Sequence, residues 1–255
     1  MPNLTESIRD NLSVVEERIQ RALARCGRPR EAVTLVAVSK THPVEALIEA
    51  ARAGLGDLGE NYAQEMAAKR QALLGLAGKA APFDGSSPCP QAGADSLPPV
   101  RFHFIGPLQT NKVKLVVGGC HLLHTVDRLW LAEAVSTRSA SLGLTQDILF
   151  EVHLSPEDSK SGASPEALPD LLRRCLELPG LRPLGLMTMP PWGEDPEESR
   201  PYFARLRRLL EDLSHQFGLS DFRHLSMGMS HDFEVALEEG ATLIRVGTAL
   251  FGARG

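Results

Sequence analysis

The chain alternates between short β-like apolar runs and longer stretches in which apolar residues recur at helical spacing. Eight of the short runs predict β-strands, and these span Thr34–Ser39, Asp57–Gly59, Phe102–Ile105, His121–Thr125, Ile148–His153, Leu184–Met187, His224–Ser226 and Leu243–Val246. The clearest helices are predicted to span Leu4–Cys26, Pro43–Gly54, Ser164–Cys175 and Asp195–Phe217. The sequence Asp195-Pro-Glu-Glu198 has the pattern of a capping box, and Gly218 ends the helix that it starts.

Eight strands in 255 residues is one per about 32 residues, which suits repeated βα units. Two architectures fit this order, an open doubly wound sheet and a closed barrel. Polar or reactive residues recur at the C-terminal ends of many strands, namely Lys40, Asn61, Met187, Ser226 and Arg245. Because those ends converge on one site in a barrel, we predict an α/β fold, a (β/α)8 TIM-type barrel with an extra N-terminal helix, in a single domain over 1–255.

One segment differs in composition from the rest. Gly, Ala, Ser and Pro fill 17 of the 26 positions from Gly75 to Val100. Such a stretch buries too little apolar surface to offset its ordering entropy, so we predict a flexible insertion over 75–100.

Charge and cysteine content exclude several classes of protein. The net charge is −5 and the chain has no Lys/Arg block, so it is a poor candidate for binding nucleic acid or an anionic membrane surface. No apolar run approaches the roughly 20 residues of a membrane span, and no signal peptide is recognisable. The four cysteines are too widely spaced to form a metal pair or a disulfide framework. We therefore expect a cytoplasmic protein.

Lys40 follows the most apolar strand, and Val36, Val38 and Lys40 share one face at a period of two. If that face points into the barrel, the ammonium lies at the barrel mouth. Partial desolvation there favours the neutral amine, which can form a Schiff base. The alternative is a lysine that extends into solvent from a strand end, and for Lys40 taken alone that alternative is favoured.

Arg245 places a guanidinium inside an apolar strand, on the same face as Gly247. A buried Arg needs an acceptor, which is either a carboxylate or a ligand atom. The carboxylate candidates are Glu60, Glu151 and Asp232, and the sequence favours neither alternative.

Two segments have the composition of anion-binding loops. Ser226-Met-Gly-Met-Ser230 follows the seventh strand and leads into a helix, and Gly247-Thr248 follows the eighth strand and opens another helical turn. Helix N-termini offer free N–H groups, and glycine lets a phosphate approach the backbone closely. Barrels usually bind phosphate in the loops after strands seven and eight, so the two segments together predict a phosphate site.

The eight histidines show no zinc-ligand spacing, and no metal site is predicted. His121 and His124 are three residues apart in a predicted strand, so they are expected on opposite faces as ordinary fold residues. His103 is placed like a site residue, with a buried structural histidine as the alternative.

In combination, these stretches resemble the pyridoxal phosphate homeostasis protein family, which has the fold of the alanine racemase N-terminal domain. The resemblance covers about Leu12 to Arg254 except the insertion. It rests on AVSKT (37–41), GENYAQE (59–65), FHFIGPLQTNK (102–112), HTVD (124–127), SKSG (159–162), GLMTMP (185–190), LSMGMSHD (225–232) and RVGTALFGAR (245–254).

The resemblance implies that the chain binds pyridoxal 5′-phosphate (PLP). Lys40 falls on the Schiff-base lysine, Arg245 falls on the residue that faces the pyridine nitrogen, and Asn61 and His103 fall near the cofactor ring. The other positions assigned to the cofactor are those of Met187, Ser226, Met227, Met229, Ser230, Gly247 and Thr248. The chain departs from the family at His153, where Asn is usual, and this places a titratable group near the mouth.

PLP is a strong electron sink when its pyridine nitrogen is protonated. Arg245 does not give up a proton, so a nitrogen that it faces would stay unprotonated, which disfavours transamination and decarboxylation. Racemisation tolerates this arrangement but needs an acid/base on each face, and the only tyrosines are Tyr62 and Tyr202.

The sequence therefore predicts a PLP-binding protein of intracellular PLP homeostasis, without strong catalytic activity. Its expected partners are apo PLP-dependent enzymes that receive the cofactor, and its expected assembly is a monomer or weak dimer. A low-activity PLP-dependent amino-acid racemase is the alternative.

Overall fold

Eight parallel strands form a closed barrel in the computed structural model, which describes residues 4–76, 98–155 and 161–252. Each strand pairs with the next one in the chain, and the last pairs with the first. The strands are Thr34–Val38 (β1), Asp57–Glu60 (β2), Arg101–Phe104 (β3), Leu122–Val126 (β4), Gln146–Glu151 (β5), Leu181–Met187 (β6), His224–Ser226 (β7) and Leu243–Val246 (β8). The predicted (β/α)8 barrel is confirmed, and the open-sheet alternative is wrong.

Helices surround the barrel. Within the described ranges they are Leu4–Arg25 (α1), Val44–Arg52 (α2), Ala63–Leu76 (α3), Val113–Val116 (α4), Leu129–Ser141 (α5), Leu168–Leu176 (α6), Arg200–Phe217 (α7), Phe233–Glu238 (α8) and Thr248–Phe251 (α9). None of these helices is long and apolar enough to cross a membrane.

Three helix ends differ from the sequence prediction. Helix α6 begins at Leu168, later than expected, because the preceding residues form a turn in which Ser164 Oγ accepts from the backbone N–H of Ala167 at 3.3 Å. Helix α3 continues through Gly75 to Leu76, so the first two residues of the predicted 75–100 insertion are helical, and residues 77–97 lie outside the described part of the chain. The Asp195 carboxylate caps a 3₁₀ turn that precedes α7, where a capped α-helix was expected.

The extra N-terminal helix α1 covers the junction at which the barrel closes. The strand β8 is followed by only the four-residue helix α9, and α1 packs against α2, α8 and α9. Asn11 Nδ2 donates to the Leu250 carbonyl at 2.9 Å, and Arg18 pairs with Glu234 at 2.9 Å. Helix α1 thus fills the place of the long helix that would otherwise follow β8.

Apolar residues pack in two layers. The larger cluster lies between the barrel and its helices. The smaller cluster fills the barrel interior and consists of Val36, Leu122, Leu149, Met187 and Leu243, with Leu184 against it. Because side chains alternate along a strand, these residues identify which positions of each strand point inward.

Candidate functional site

Three predicted site residues meet at the C-terminal edge of the barrel. The strand β1 pairs with β2 and with β8, so Lys40, Asn61 and Gly247, which follow these strands, lie at the same edge. A Cβ atom built on Gly247 would lie 3.4 Å from the Cβ of Val38, so the end of β8 approaches β1 closely. Lys40 and Asn61 are half-buried there.

A buried ion-pair cluster supports the backbone next to Lys40. Lys69 Nζ donates to the Ser39 carbonyl at 2.8 Å and to one oxygen each of Glu60 and Glu65 at 2.7 Å. Burial raises the pKa of Glu60, which opposes the effect of Lys69 on the same carboxyl. The cluster fixes the end of β1 from the side of α3.

The residue after Lys40 adopts a backbone conformation that is uncommon for a threonine. Thr41 has φ of 66°, in the left-handed region, and its N–H donates to the Glu65 carboxylate at 2.6 Å. Non-glycine residues are held in this region when the surrounding structure over-determines it. The same carboxylate that binds Lys69 therefore holds the turn that carries Lys40.

Arg245 lies inside the barrel and is 3% exposed. Its Nη1 donates to Ser226 Oγ at 2.6 Å and its Nη2 donates to the Thr188 carbonyl at 3.0 Å. Burial lowers the pKa of the guanidinium to about 10. These two bonds use two of the five N–H groups that a guanidinium offers.

The carboxylates that could have paired with Arg245 are bound elsewhere. Glu60 binds Lys69, Glu151 accepts from Ser161 Oγ at 3.1 Å, and Asp232 accepts from Ser199 Oγ at 2.9 Å. Within residues 4–76, 98–155 and 161–252, Arg245 forms no ion pair. The sequence left two acceptors open for Arg245, a carboxylate or a ligand atom. Among the described residues, no carboxylate accepts from it.

The two predicted anion loops are joined by one hydroxyl group. Ser230 Oγ accepts from the backbone N–H of Gly247 at 3.2 Å and from that of Ala249 at 3.4 Å. Thr248 is exposed at the start of α9. Because Ser230 Oγ accepts both bonds, its own proton is left to donate to a further acceptor.

The three methionines assigned to the site occupy different layers. Met187 belongs to the interior cluster, below the mouth, and Met227 belongs to the cluster between barrel and helices. Met229 is half-buried in the loop after β7. Of the three, Met229 is the one exposed enough to line a ligand site. The roles of all three stay predictions.

His103 and Ser226 are fully buried members of one chain of side-chain contacts. Ser226 Oγ, which binds Arg245, lies 2.8 Å from His124 Nδ1, and His124 Nε2 lies 2.9 Å from His103 Nδ1. His103 Nε2 lies 2.8 Å from Asp57 Oδ1. We call Asp57, His103, His124 and Ser226 the polar column.

The far end of the polar column is a charged pair at the N-terminal edge of the barrel. Arg101 binds both oxygens of Asp57, at 2.8 and 2.6 Å. Burial raises the pKa of Asp57, but the hydrogen bonds from His103 and Arg101 outweigh it and hold the pKa at about 2. Burial lowers the pKa of His124 well below its usual value, so this ring is neutral.

Sequence reasoning missed Asp57 and His124 as members of this arrangement. The expectation that His121 and His124 lie on opposite faces is wrong, because both rings pack against His103, with centroids 5.5 and 5.2 Å away. His124 shares the parity of Leu122, an interior residue, and this pattern could have indicated its inward direction.

His153 lies just after β5, where the chain turns at the mouth. Its backbone N–H donates to the Ala163 carbonyl at 3.0 Å, and the Ala163 N–H donates to the Glu151 carbonyl at 2.8 Å. These bonds hold the segment around Ala163 against the end of β5.

Comparison with known proteins gives a consistent result. Residues 11–255 match the family model described as alanine racemase, N-terminal domain. A pyridoxal phosphate homeostasis protein of Aquifex aeolicus is 44% identical over 245 residues, covering 96% of this chain and 97% of the relative. One of Pseudomonas aeruginosa is 41% identical over 248 residues, covering 97% of this chain and 96% of the relative.

A solved structure of PipY from Synechococcus elongatus, with PLP bound, is 33% identical to this chain and has a TM-score of 0.78. The match covers 96% of this chain and 100% of that one. The chain therefore belongs to the alanine racemase N-terminal domain family and, within it, to the pyridoxal phosphate homeostasis proteins.

Proposed function

We propose that this chain binds PLP at the barrel mouth and serves intracellular PLP homeostasis, as a cytoplasmic monomer or weak dimer. The names of its relatives and the PLP bound by PipY support this function. The observation that carries it for this chain is Arg245, a buried guanidinium at the carboxyl end of the strands whose described partners include no carboxylate.

The residues present fit the polar groups of PLP, which are a phosphate, an aldehyde, a ring hydroxyl and a pyridine nitrogen. Asn61 Oδ1 is buried and has no hydrogen-bond partner among the described residues. A buried acceptor without a partner costs about 1–3 kcal/mol, and a bound donor such as a ring hydroxyl would remove that cost. Arg245 and Ser230 each retain N–H or O–H groups for a ligand acceptor.

When bound, PLP supplies an aldehyde that captures amines reversibly and a ring that withdraws electrons from the captured group. Lys40, which follows β1 at the mouth, would be the amine that holds the cofactor. The Ser230 hydroxyl would donate to the phosphate, with Gly247 and Thr248 alongside it. Arg245 would donate to the pyridine nitrogen and disfavour its protonation.

Weak catalysis follows from the same arrangement. A carboxylate facing the pyridine nitrogen would favour its protonation, whereas the guanidinium of Arg245 disfavours it. Of the two tyrosines, Tyr202 belongs to α7 on the outside of the barrel, and Tyr62 is exposed after β2. We propose that the chain holds PLP and passes it on, and that it is not an enzyme of strong activity.

Delivery of PLP to an apo-enzyme tests the homeostasis role. The PLP-loaded chain is mixed with an apo PLP-dependent enzyme, and recovery of that enzyme's activity is compared with the rate of PLP release into a trap without enzyme. We expect recovery faster than release. Recovery that never exceeds the release rate would limit the chain to buffering PLP.

A further inference from the structure

The polar column links Arg245 near the mouth to the opposite end of the barrel. Four contacts join Arg245, Ser226, His124, His103 and Asp57 in turn, at 2.6, 2.8, 2.9 and 2.8 Å. Asp57 is the first residue of β2, whereas Ser226 is the last of β7, so the column runs along the strands. All five residues are buried.

Asp57 and Arg245, at the two ends of the column, together fix the direction of its protons. An ionised carboxylate only accepts, so His103 donates to Asp57 from Nε2. A guanidinium only donates, so Ser226 Oγ accepts from Arg245 and turns its own proton towards His124 Nδ1. His124, which burial keeps neutral, then carries its proton on Nε2 and donates it to His103 Nδ1. Ser226 Oγ presents a lone pair to Arg245 Nη1, which can only donate.

The opposite direction leaves groups unsatisfied. With its proton on Nδ1, His124 would place an Nε2 lone pair against the Nδ1 lone pair of a neutral His103, 2.9 Å away. Ser226 would then accept from both His124 and Arg245, and its hydroxyl proton would need another acceptor. Unsatisfied buried groups are costly, so one proton arrangement is favoured throughout the column.

We propose that Asp57 is a remote positioning residue for Arg245. Through the column, this carboxylate keeps the Ser226 lone pair directed at Arg245 and so fixes which guanidinium N–H groups face the mouth. That the ligand at those N–H groups is PLP rests on the proposed function. The arrangement of donors and acceptors along the polar column does not depend on it. Losing the carboxylate frees the Ser226 hydroxyl to rotate and loosens Arg245 against its ligand.

The barrel contains a matched control pair. Asp147 at β5 binds Arg182 at β6 through both oxygens, at 2.6 and 2.8 Å. The Asp147 side chain is 13% exposed and that of Asp57 is 12% exposed. Only Asp57 among these two is hydrogen-bonded to a histidine. Asp147→Ala therefore removes a carboxylate from a similar pair and leaves the polar column intact, so it is the control for Asp57→Ala.

Histidine side-chain ¹⁵N NMR of the PLP-free protein tests the proton order without any cofactor. Long-range ¹H–¹⁵N spectra distinguish the two neutral tautomers, and single substitutions assign the signals. We expect His103 and His124 each to carry a proton on Nε2 and none on Nδ1. A proton on Nδ1 of either ring would overturn the proposal, and this arm needs no Asp57 variant to fold.

PLP affinity tests the effect on Arg245. Coupling through such networks gives about 3- to 30-fold changes, so we expect Asp57→Ala, which removes the acceptor of His103, to weaken PLP binding by that factor and Asp147→Ala by less than about twofold. Ser226→Ala should weaken it similarly, and the double variant should show little further loss, because both changes break one chain. Equal effects of the two aspartate variants, or full additivity of the double variant, would overturn the proposal. Wild-type protein that binds no PLP would instead contradict the proposed function and leave the NMR result valid.

Discussion

At the residue scale, buried charged side chains of the barrel differ in whether an opposite charge or a neutral group binds them. Lys69 is paired with Glu60, and Asp57 is paired with Arg101, so each of these charges has a partner of opposite sign. Arg245 is held instead by a hydroxyl and a carbonyl. An unpaired buried charge is costly, so its presence at a strand end indicates a site rather than a structural pair.

The sequence could show that Arg245 is buried, since it lies within an apolar strand. It could not show the partners, because Ser226 ends β7 and Thr188 follows β6, and both meet Arg245 only when the barrel closes. The orphaned Asn61 Oδ1 has the same origin. The alternation of inward and outward side chains can be read from the sequence of each strand. Contacts across the barrel depend on strand register and on closure, which the sequence of one strand does not show.

At a pH above the usual pKa of an aspartate, the Asp57 carboxylate should add to the free energy of unfolding. Its pKa falls from 3.8 unfolded to about 2 folded, so the native state favours the ionised form. Asp57→Asn should lower the free energy of unfolding at pH 7 by about 2 kcal/mol. That difference should shrink as the pH falls from about 4 towards 2, where both states become protonated. Urea unfolding of both proteins at pH 7 and near pH 2.5 measures this, and a pH-independent difference would contradict it.

At the element scale, the strands were predicted to within a few residues because their apolar runs are distinct. The limits of β5 and β6 shifted towards the N-terminus, where Asp147 and Arg182 extend the pairing through an ion pair that hydrophobicity does not show. The prediction that the loops after β7 and β8 act together is supported by the bonds that Ser230 accepts from Gly247 and Ala249.

Ser230→Ala should weaken PLP binding about tenfold or more, because a hydrogen bond to a charged phosphate contributes roughly 1.5–3 kcal/mol. Fluorescence titration with PLP measures the change. Ser141→Ala is the matched control, since it removes a hydroxyl at the exposed end of α5, where Ser141 Oγ donates to the Arg138 carbonyl at 2.7 Å. Wild-type protein that binds pyridoxal as tightly as PLP would show that these loops do not hold a phosphate.

At the scale of the whole molecule, closure of the barrel brings the candidate site residues together at the C-terminal ends of the strands. The N-terminal ends carry structural ion pairs such as Arg101–Asp57. Helix α1 seals the β8–β1 junction, which brings Gly247 against Val38 next to Lys40. Oligomeric state and recipient enzymes stay predictions, because they depend on surfaces that act only between molecules.

The low catalytic activity that we propose is a property of the complete site. If Arg245 faces the pyridine nitrogen as proposed, incubation with L-alanine or L-serine in deuterated water should give little exchange of the Cα hydrogen, as NMR would show. A racemase with an acid/base on each face exchanges that hydrogen as it inverts the centre. Rapid exchange with inversion would favour the racemase, and His153 and His103 would then be the first residues to substitute.

Covalent capture of PLP by Lys40 is the central claim, and borohydride reduction followed by peptide mass spectrometry tests it most directly. The reduced wild-type protein should carry one phosphopyridoxyl group on Lys40, and its absorbance should change on reduction. Lys114→Ala, which removes an exposed lysine of α4, should leave this result unchanged. Lys40→Ala should lose both the label and the absorbance change. An unlabelled wild-type protein, or a Lys40→Ala variant labelled as strongly as the wild type, would contradict the account.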